Sequence, residues 1–357
     1  MDWLFRTEFD ALTTIALWSI AAVVVATVVL LVYTIGLRVV TISGERRRRI
    51  FINRWRDVFA LSVMSSDAAR DAQLPKLRRS DQIDLLEEWN RSCSMVEGDA
   101  VSNLVALAKR THIPELAMKL FHRRRVSSRI LAVQTLGHLR AADVRDEIRD
   151  LVDDTNTALS ITAAAALVDI DPDFGVSIVV PLISERRDWP RTRVSTILRQ
   201  AGSSRISEPM YRAIRSADNN GKTYLLQFAR LVEPEVLDAL VTDLIRETND
   251  AGVLNASLKL VSGYHGVPRI ASLTKHTVWF VRMQAAKVLG RIGQPEHLKL
   301  LEALLNDQEW WVRYRAAQAI TSLPFLGPNQ LRKLRREQED RYAADILQQC
   351  FAEVGLA

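Results

Sequence analysis

The chain has 357 residues, 48% of them hydrophobic and 25% charged, with a formal net charge of +6 and two cysteines. Cys93 and Cys350 lie far apart with no CxxC and no metal-like spacing, so they read as free thiols and exclude a disulfide scaffold. The positive balance is local: residues 38–56 carry +6, residues 1–10 carry −2, and residues 57–357 carry only +2, which weighs against a nucleic-acid binder with a strongly basic face over many repeats.

In chain order, residues 1–10 read as a short external N-terminus and 11–40 as a transmembrane helix. No charged residue occurs between Asp10 and Arg38, a run rich in Val, Ala, Leu and Ile. At about 1.5 Å per residue it exceeds the roughly 30 Å hydrocarbon core of a bilayer. A cleaved signal peptide fits less well, because the preceding segment is acidic and the apolar run too long.

Residues 41–80 follow as a basic juxtamembrane segment and linker. Arg46, Arg47, Arg48, Arg49, Arg54 and Arg56 would face anionic lipid at the inner leaflet. The charge difference across the span places the N-terminus outside and everything after the helix in the cytoplasm. Ser43 and Gly44 suggest a break, after which Glu45–Met64 reads as an amphipathic helix along the surface. Its apolar set is Ile50, Phe51, Trp55, Val58 and Phe59. Residues 65–79 read as linker.

From 81 to the end, one spacing dominates. Val281-Arg282 is followed by Ala285, Ala286 and Leu289, and Val312-Arg313 by Ala316, Ala317 and Ile320. Further copies start at Arg129, Ser160, Arg191, Lys222 and Val253. Every step is 31 residues except that from 253 to 282. Such a period means stacked supersecondary units. Each unit reads as two helices: the first with small or aliphatic residues on one face, the second amphipathic, with Gly or Pro at the turn. Gln82–Cys93 would open the stack and Arg341–Val354 would cap it.

These repeats resemble the HEAT family, most closely the bacterial short-repeat type also found in phycobilin lyases. Trp279 to Gly290 and Asp307 to Ile320 carry the resemblance. It implies an all-α fold: an α-solenoid of about eight helical hairpins over 81–357, preceded by one transmembrane helix. It also implies a turn ladder in which Asp307 and Arg313 bond across successive repeats, with Arg282 doing the same one repeat earlier. Ser160 lacks a guanidinium, so its junction should be looser.

Gly221-Lys222-Thr223 ends like a phosphate-binding loop, but Ser216 stands where that motif needs glycine, and Gly221 reads as a turn residue. The six histidines are scattered, without metal-ligand spacing. No nucleophile context appears. Basic runs at 122–125, 186–193 and 332–336 are either solvated helix ends or a patch for an acidic partner or a nucleotide. Trp189, Trp279, Phe280, Trp310 and Trp311 start first helices. They either pack between turns or form an exposed partner edge.

The expected function is that of a cytoplasmic HEAT-repeat scaffold, tethered to the bacterial inner membrane and binding a protein partner, without nucleic acid, cofactor or catalysis. Similar anchored proteins suggest an envelope or polysaccharide-export assembly. The alternative is a lyase-type enzyme related to the phycobilin lyases, or its subunit.

Overall fold

The computed structural model describes residues 2–64, 73–96, 98–262 and 267–355; within its first helix, side chains are described for 17–38 and 45–64. Among the described residues all regular structure is helical. The expected linker is seen only from residue 73, and the turn position Gly266 lies outside the described residues. Two compact units form, 1–139 and 140–357, so the expected boundary at residue 80 falls inside the first.

The first unit begins with α1, one uninterrupted helix from Asp2 to Met64. Its Leu17–Arg38 segment is long and apolar enough to cross a membrane, and none of it is buried. Thr27 and Thr34 return their hydroxyls to the carbonyls of Val23 and Leu30 at 2.7 and 2.8 Å, so these polar groups are satisfied within the helix. The break expected at Ser43 and Gly44 does not occur. Gly inside a helix costs only about 1 kcal/mol, and residues beyond it provide the packing to continue.

That packing also corrects the reading of Glu45–Met64. Phe51, Trp55, Val58, Phe59 and Ser62 form one buried i, i+4 face, with rings of Phe51 and Trp55 stacked at 5.7 Å. The face covers α2 (Gln82–Met95) and α3 (Asp99–Arg110), leaving Ile50 on the exposed side. The segment is therefore core, not a surface-lying helix. Trp89 of α2 donates to the Leu104 carbonyl at 2.9 Å, and Asn90 to Thr135 Oγ1 at 3.0 Å. Thr135 belongs to α5 (Val126–His138), which packs on α2 and on α4 (Ile113–Phe121).

The second unit opens with the short α6 (Arg145–Asp150) and continues as helical hairpins: α7 (Thr157–Ile170) with α8 (Pro172–Leu182), α9 (Arg191–Ala201) with α10 (Ser203–Ser216), and α11 (Asn219–Leu225) with α12 (Pro234–Glu247). Then come α13 (Ala251–Leu258) with α14 (Val267–Leu273), α15 (Trp279–Ile292) with α16 (Leu298–Leu304), and α17 (Trp310–Thr321) with α18 (Pro328–Arg336). The closing helix α19 (Arg341–Glu353) packs on both α17 and α18.

First helices pack on first helices (α7 on α9, α11 on α13, α13 on α15, α15 on α17), and second helices on second (α8 on α10, α10 on α12, α12 on α14). This double layer is an α-solenoid. Small residues set its pitch. Ala285, Ala286, Ala316 and Ala317 are fully buried, and a Cβ on Gly290 would sit 2.5 Å from the Ala319 Cβ. In α13 the buried positions are Val253, Leu254, Ser257 and Leu258, with Leu260 just beyond it also buried, while Ala256 is half-exposed.

Candidate functional site

The turns between hairpins hold the strongest polar geometry. Arg282 Nε and Nη2 donate to the two carboxylate oxygens of Asp307, both at 2.7 Å, and Nη1 donates to the carbonyls of His276 and Thr277 at 2.9 and 3.0 Å. Arg313 repeats the pattern one unit on: Nε donates to the Asp307 carbonyl, and Nη1 to Asp340 Oδ2 at 3.1 Å. Each arginine thus bridges its own turn's backbone to the next turn's carboxylate. Asp307 is therefore the side-chain partner of Arg282, and Arg313 uses Asp340. An arginine arm can reach either neighbour, so the spacing of Asp307 and Arg313 did not decide the pairing.

Burial works to raise the Asp307 pKa, but hydrogen bonds from Arg282 and the Glu309 N–H, with both arginine charges, hold it below the usual carboxylate value. The hydrogen bond to Asp307 likewise pushes the Arg282 guanidinium up.

At Ser160 the junction is rebuilt and filled, not loose. Ser160 is fully buried; its Oγ donates to the Val152 carbonyl at 2.5 Å and accepts the Trp189 Nε1–H at 3.0 Å. A guanidinium enters from the following turn instead: Arg186 donates to the carbonyls of Val152 and Asp154 at 2.8 and 3.2 Å, and pairs with Asp188 at 3.0 Å. Asp188 also accepts from Thr157 at 2.7 Å, and hydrogen bonds from Arg186 and Thr157 hold it down at about 2.

This divides the aromatic set. Trp189 is 1% exposed and belongs to the core, because the short Ser160 side chain leaves room for an indole. It is no part of an exposed edge. Trp310 and Trp311 remain 46% and 51% exposed, with their rings edge-on at 4.7 Å, and Trp310 stacks on Tyr314 at 5.2 Å. Trp279 is exposed and meets the half-buried Phe280 edge-on at 5.8 Å.

Two grooves run over the exposed side of the first-helix layer. One, of about 570 Å³, crosses α11 and α13 and is lined by Arg191, Gln227, Arg230, Asn255, Lys259 and Phe280, among others. The second, of about 560 Å³, lies between α15 and α17, with Lys287, Arg291, Arg315 and Gln318 in its lining. No carboxylate lines either groove. Sequence reasoning missed them, although a signal was present: no Asp or Glu occurs between Asp250 and Glu296.

On α1, Arg46, Arg47, Arg49, Arg54 and Arg56 are exposed, whereas Arg48 is half-buried and pairs with Glu87 at 2.8 Å. Gly221 sits in the first turn of α11, where its N–H donates to the capping Asp218 at 2.7 Å. Among the described residues no group of three or more His, Cys, Asp or Glu gathers as a metal site. Burial pushes the Cys350 thiol up to about 12, so it is not poised as a nucleophile.

A family profile described as HEAT repeats matches residues 256–321, which span the end of α13 to the end of α17 and contain both clear sequence copies. No curated protein matches the chain. Among solved structures, an engineered protein is 15% identical, with 84% of this chain and 88% of that one covered at a TM-score of 0.37. Human deoxyhypusine hydroxylase in complex with glycerol is 15% identical, covering 76% and 97% at 0.29. Kap121p bound to Ste12p is 11% identical, covering 82% of this chain and 43% of that one at 0.40.

Proposed function

We propose that this HEAT-repeat chain is a membrane-tethered scaffold that binds a protein partner and performs no catalysis. The observation that carries the tether is α1. One helix exposes Leu17–Arg38 completely and then buries Phe51, Trp55, Val58 and Phe59 in the first unit. Anchor and folded unit therefore share a rigid rod. The thirteen residues from Arg38 to Phe51 correspond to a separation of about 20 Å.

The flanking charges, −2 before the span and +6 after it, support a cytoplasmic repeat region at a bacterial inner membrane. Arg46, Arg47 and Arg49 would meet anionic headgroups, each contributing on the order of 1 kcal/mol, while Arg48 serves the fold through Glu87. Exposed indoles at Trp310 and Trp311 and the open grooves give the solenoid surface for a partner. An envelope or polysaccharide-export assembly is the setting this plan fits.

Two measurements test the reading. A C-terminal reporter active only in the periplasm should stay dark; activity there would reverse the orientation. A photo-crosslinker placed at Trp311 or Gln318 in membranes should capture protein, and one at the exposed Glu235 of α12 should not. Equal capture from both faces, or none, would remove the scaffold assignment.

A further inference from the structure

We propose that the two first-helix grooves bind an acidic, extended protein segment whose carboxylates recur at about every third residue. The proposal rests on the scaffold reading and gives the partner its chemistry. Residues 140–357 hold 28 Arg and Lys against 28 Asp and Glu, so the unit as a whole is neutral. Its charges are nonetheless sorted. Six cations line the two grooves and no carboxylate does.

Part of this positive charge serves the fold. Arg230 donates to the Lys259 carbonyl at 2.9 Å and Arg291 to that of Val261, capping the end of α13, and Arg191 lies over the Tyr224 ring at 5.6 Å. Lys259 and Lys287 are different. Both are exposed, and among the described residues neither forms a salt bridge with a carboxylate. A cation cluster with no counter-charge recruits one from a ligand.

The neutral groups of the linings point to polypeptide. Gln227 and Asn255 in the first groove carry primary amides, which offer a peptide bond both the donor and the acceptor it needs, whereas the Gln318 amide in the second is held by the fold, accepting from Arg315 at 2.6 Å and donating to Tyr314 Oη at 2.8 Å. Phe280 supplies an apolar contact at the end of the first groove. A nucleic acid would draw its affinity from phosphate neutralisation by a strongly basic domain, and this unit has no net charge.

The repeat fixes the spacing. Packed helices stand about 8–10 Å apart, so successive first helices present their cations at that interval. An extended chain rises about 3.3 Å per residue, and three residues match one step. From α11 to α17 there are three steps, about 30 Å, or roughly nine residues.

The test uses the full chain in detergent micelles and a fluorescein-labelled twelve-residue peptide with Glu at every third position, separated by Gly and Ser. Anisotropy should report saturable binding that weakens with salt. K259E/K287E should weaken it at least ten-fold, and K259Q/K287Q by less, with helical content and melting unchanged because both side chains are exposed. A peptide of the same composition with its four Glu adjacent should bind at least three-fold more weakly than the spaced one. Binding indifferent to the double reversal, equal affinity for the clustered peptide, or tighter binding of a twelve-nucleotide single strand would each overturn the proposal. Failure here with first-helix crosslinking intact would remove the acidic partner and leave the scaffold; loss of that crosslinking would remove the scaffold itself.

Discussion

At the scale of single residues, the turns separate two kinds of polar lock. The Arg282 and Asp307 side chains are only 14% and 8% exposed, and their contact is bidentate. Removing one partner strands a buried charge, which costs about 3–5 kcal/mol. Arg313 and Asp340 are more open, at 21% and 31%, and share one hydrogen bond, worth about 1–2 kcal/mol. Arg282→Ala should therefore lower the denaturant midpoint well below that of Arg313→Ala; equal shifts would mean the ladder does not set the register. Ser160→Ala should cost about as much as Arg313→Ala, since it orphans the buried Trp189 N–H. Protonation supplies a second check. The Asp307 pKa is lowered in the folded state, so its contribution is present above the unfolded value of about 3.9 and is lost as pH falls through the folded value. The stability gap between the parent and Arg282→Ala should narrow as melts are taken from pH 7 to pH 3. A constant gap would show that Asp307 gains nothing from its ionised pair.

At the scale of elements, what the sequence disclosed depended on whether local chemistry or tertiary neighbours decide the outcome. The 31-residue period was legible because small residues at i, i+1 and i+4 must face a neighbouring helix wherever they occur. The fate of Trp189 was not, since its burial depends on the volume left by Ser160, 29 residues away. The continuity of α1 through Gly44 was hidden for the same reason: the stabilising contacts lie in α2 and α3. The grooves escaped notice because a charge pattern becomes a surface only once the exposed face of each first helix is known. Close helix approach is the element-scale feature easiest to break. A Cβ at Gly290 would meet the Ala319 Cβ at 2.5 Å and its Cα at 2.7 Å, and backbone cannot swing aside. Gly290→Ala would gain up to about 1 kcal/mol of helix propensity, yet forcing α15 from α17 costs about 1–3 kcal/mol. A net loss in thermal midpoint is expected, and a rise would mean that the two helices can separate freely.

At the scale of the whole molecule, the division between the apolar N-terminal segment and the folded part does not fall where composition suggests. A chain started at residue 81 removes every apolar run before the repeats and looks like the natural soluble fragment. The structure argues otherwise, because Phe51, Trp55, Val58 and Phe59 are part of the first unit's core and cover α2 and α3. Burying each such side chain is worth about 1.5–3 kcal/mol, so four together contribute on the order of 6–12 kcal/mol, as much as the entire stability of many domains. Their removal would also uncover the fully buried Leu85, Leu86, Leu104 and Leu107 or the faces around them, a patch that favours association. A chain starting at Glu45 keeps that face together with the Arg48–Glu87 pair and drops the apolar span. The expectation is that residues 45–357 are soluble, helical and monodisperse. Residues 81–357 should aggregate, or lose the melting transition of the first unit while the 140–357 unit still unfolds cooperatively. Identical solubility and melting of the two chains would show that the end of α1 is a passive extension of the apolar segment, and the rigid coupling of that segment to the folded unit would have to be given up.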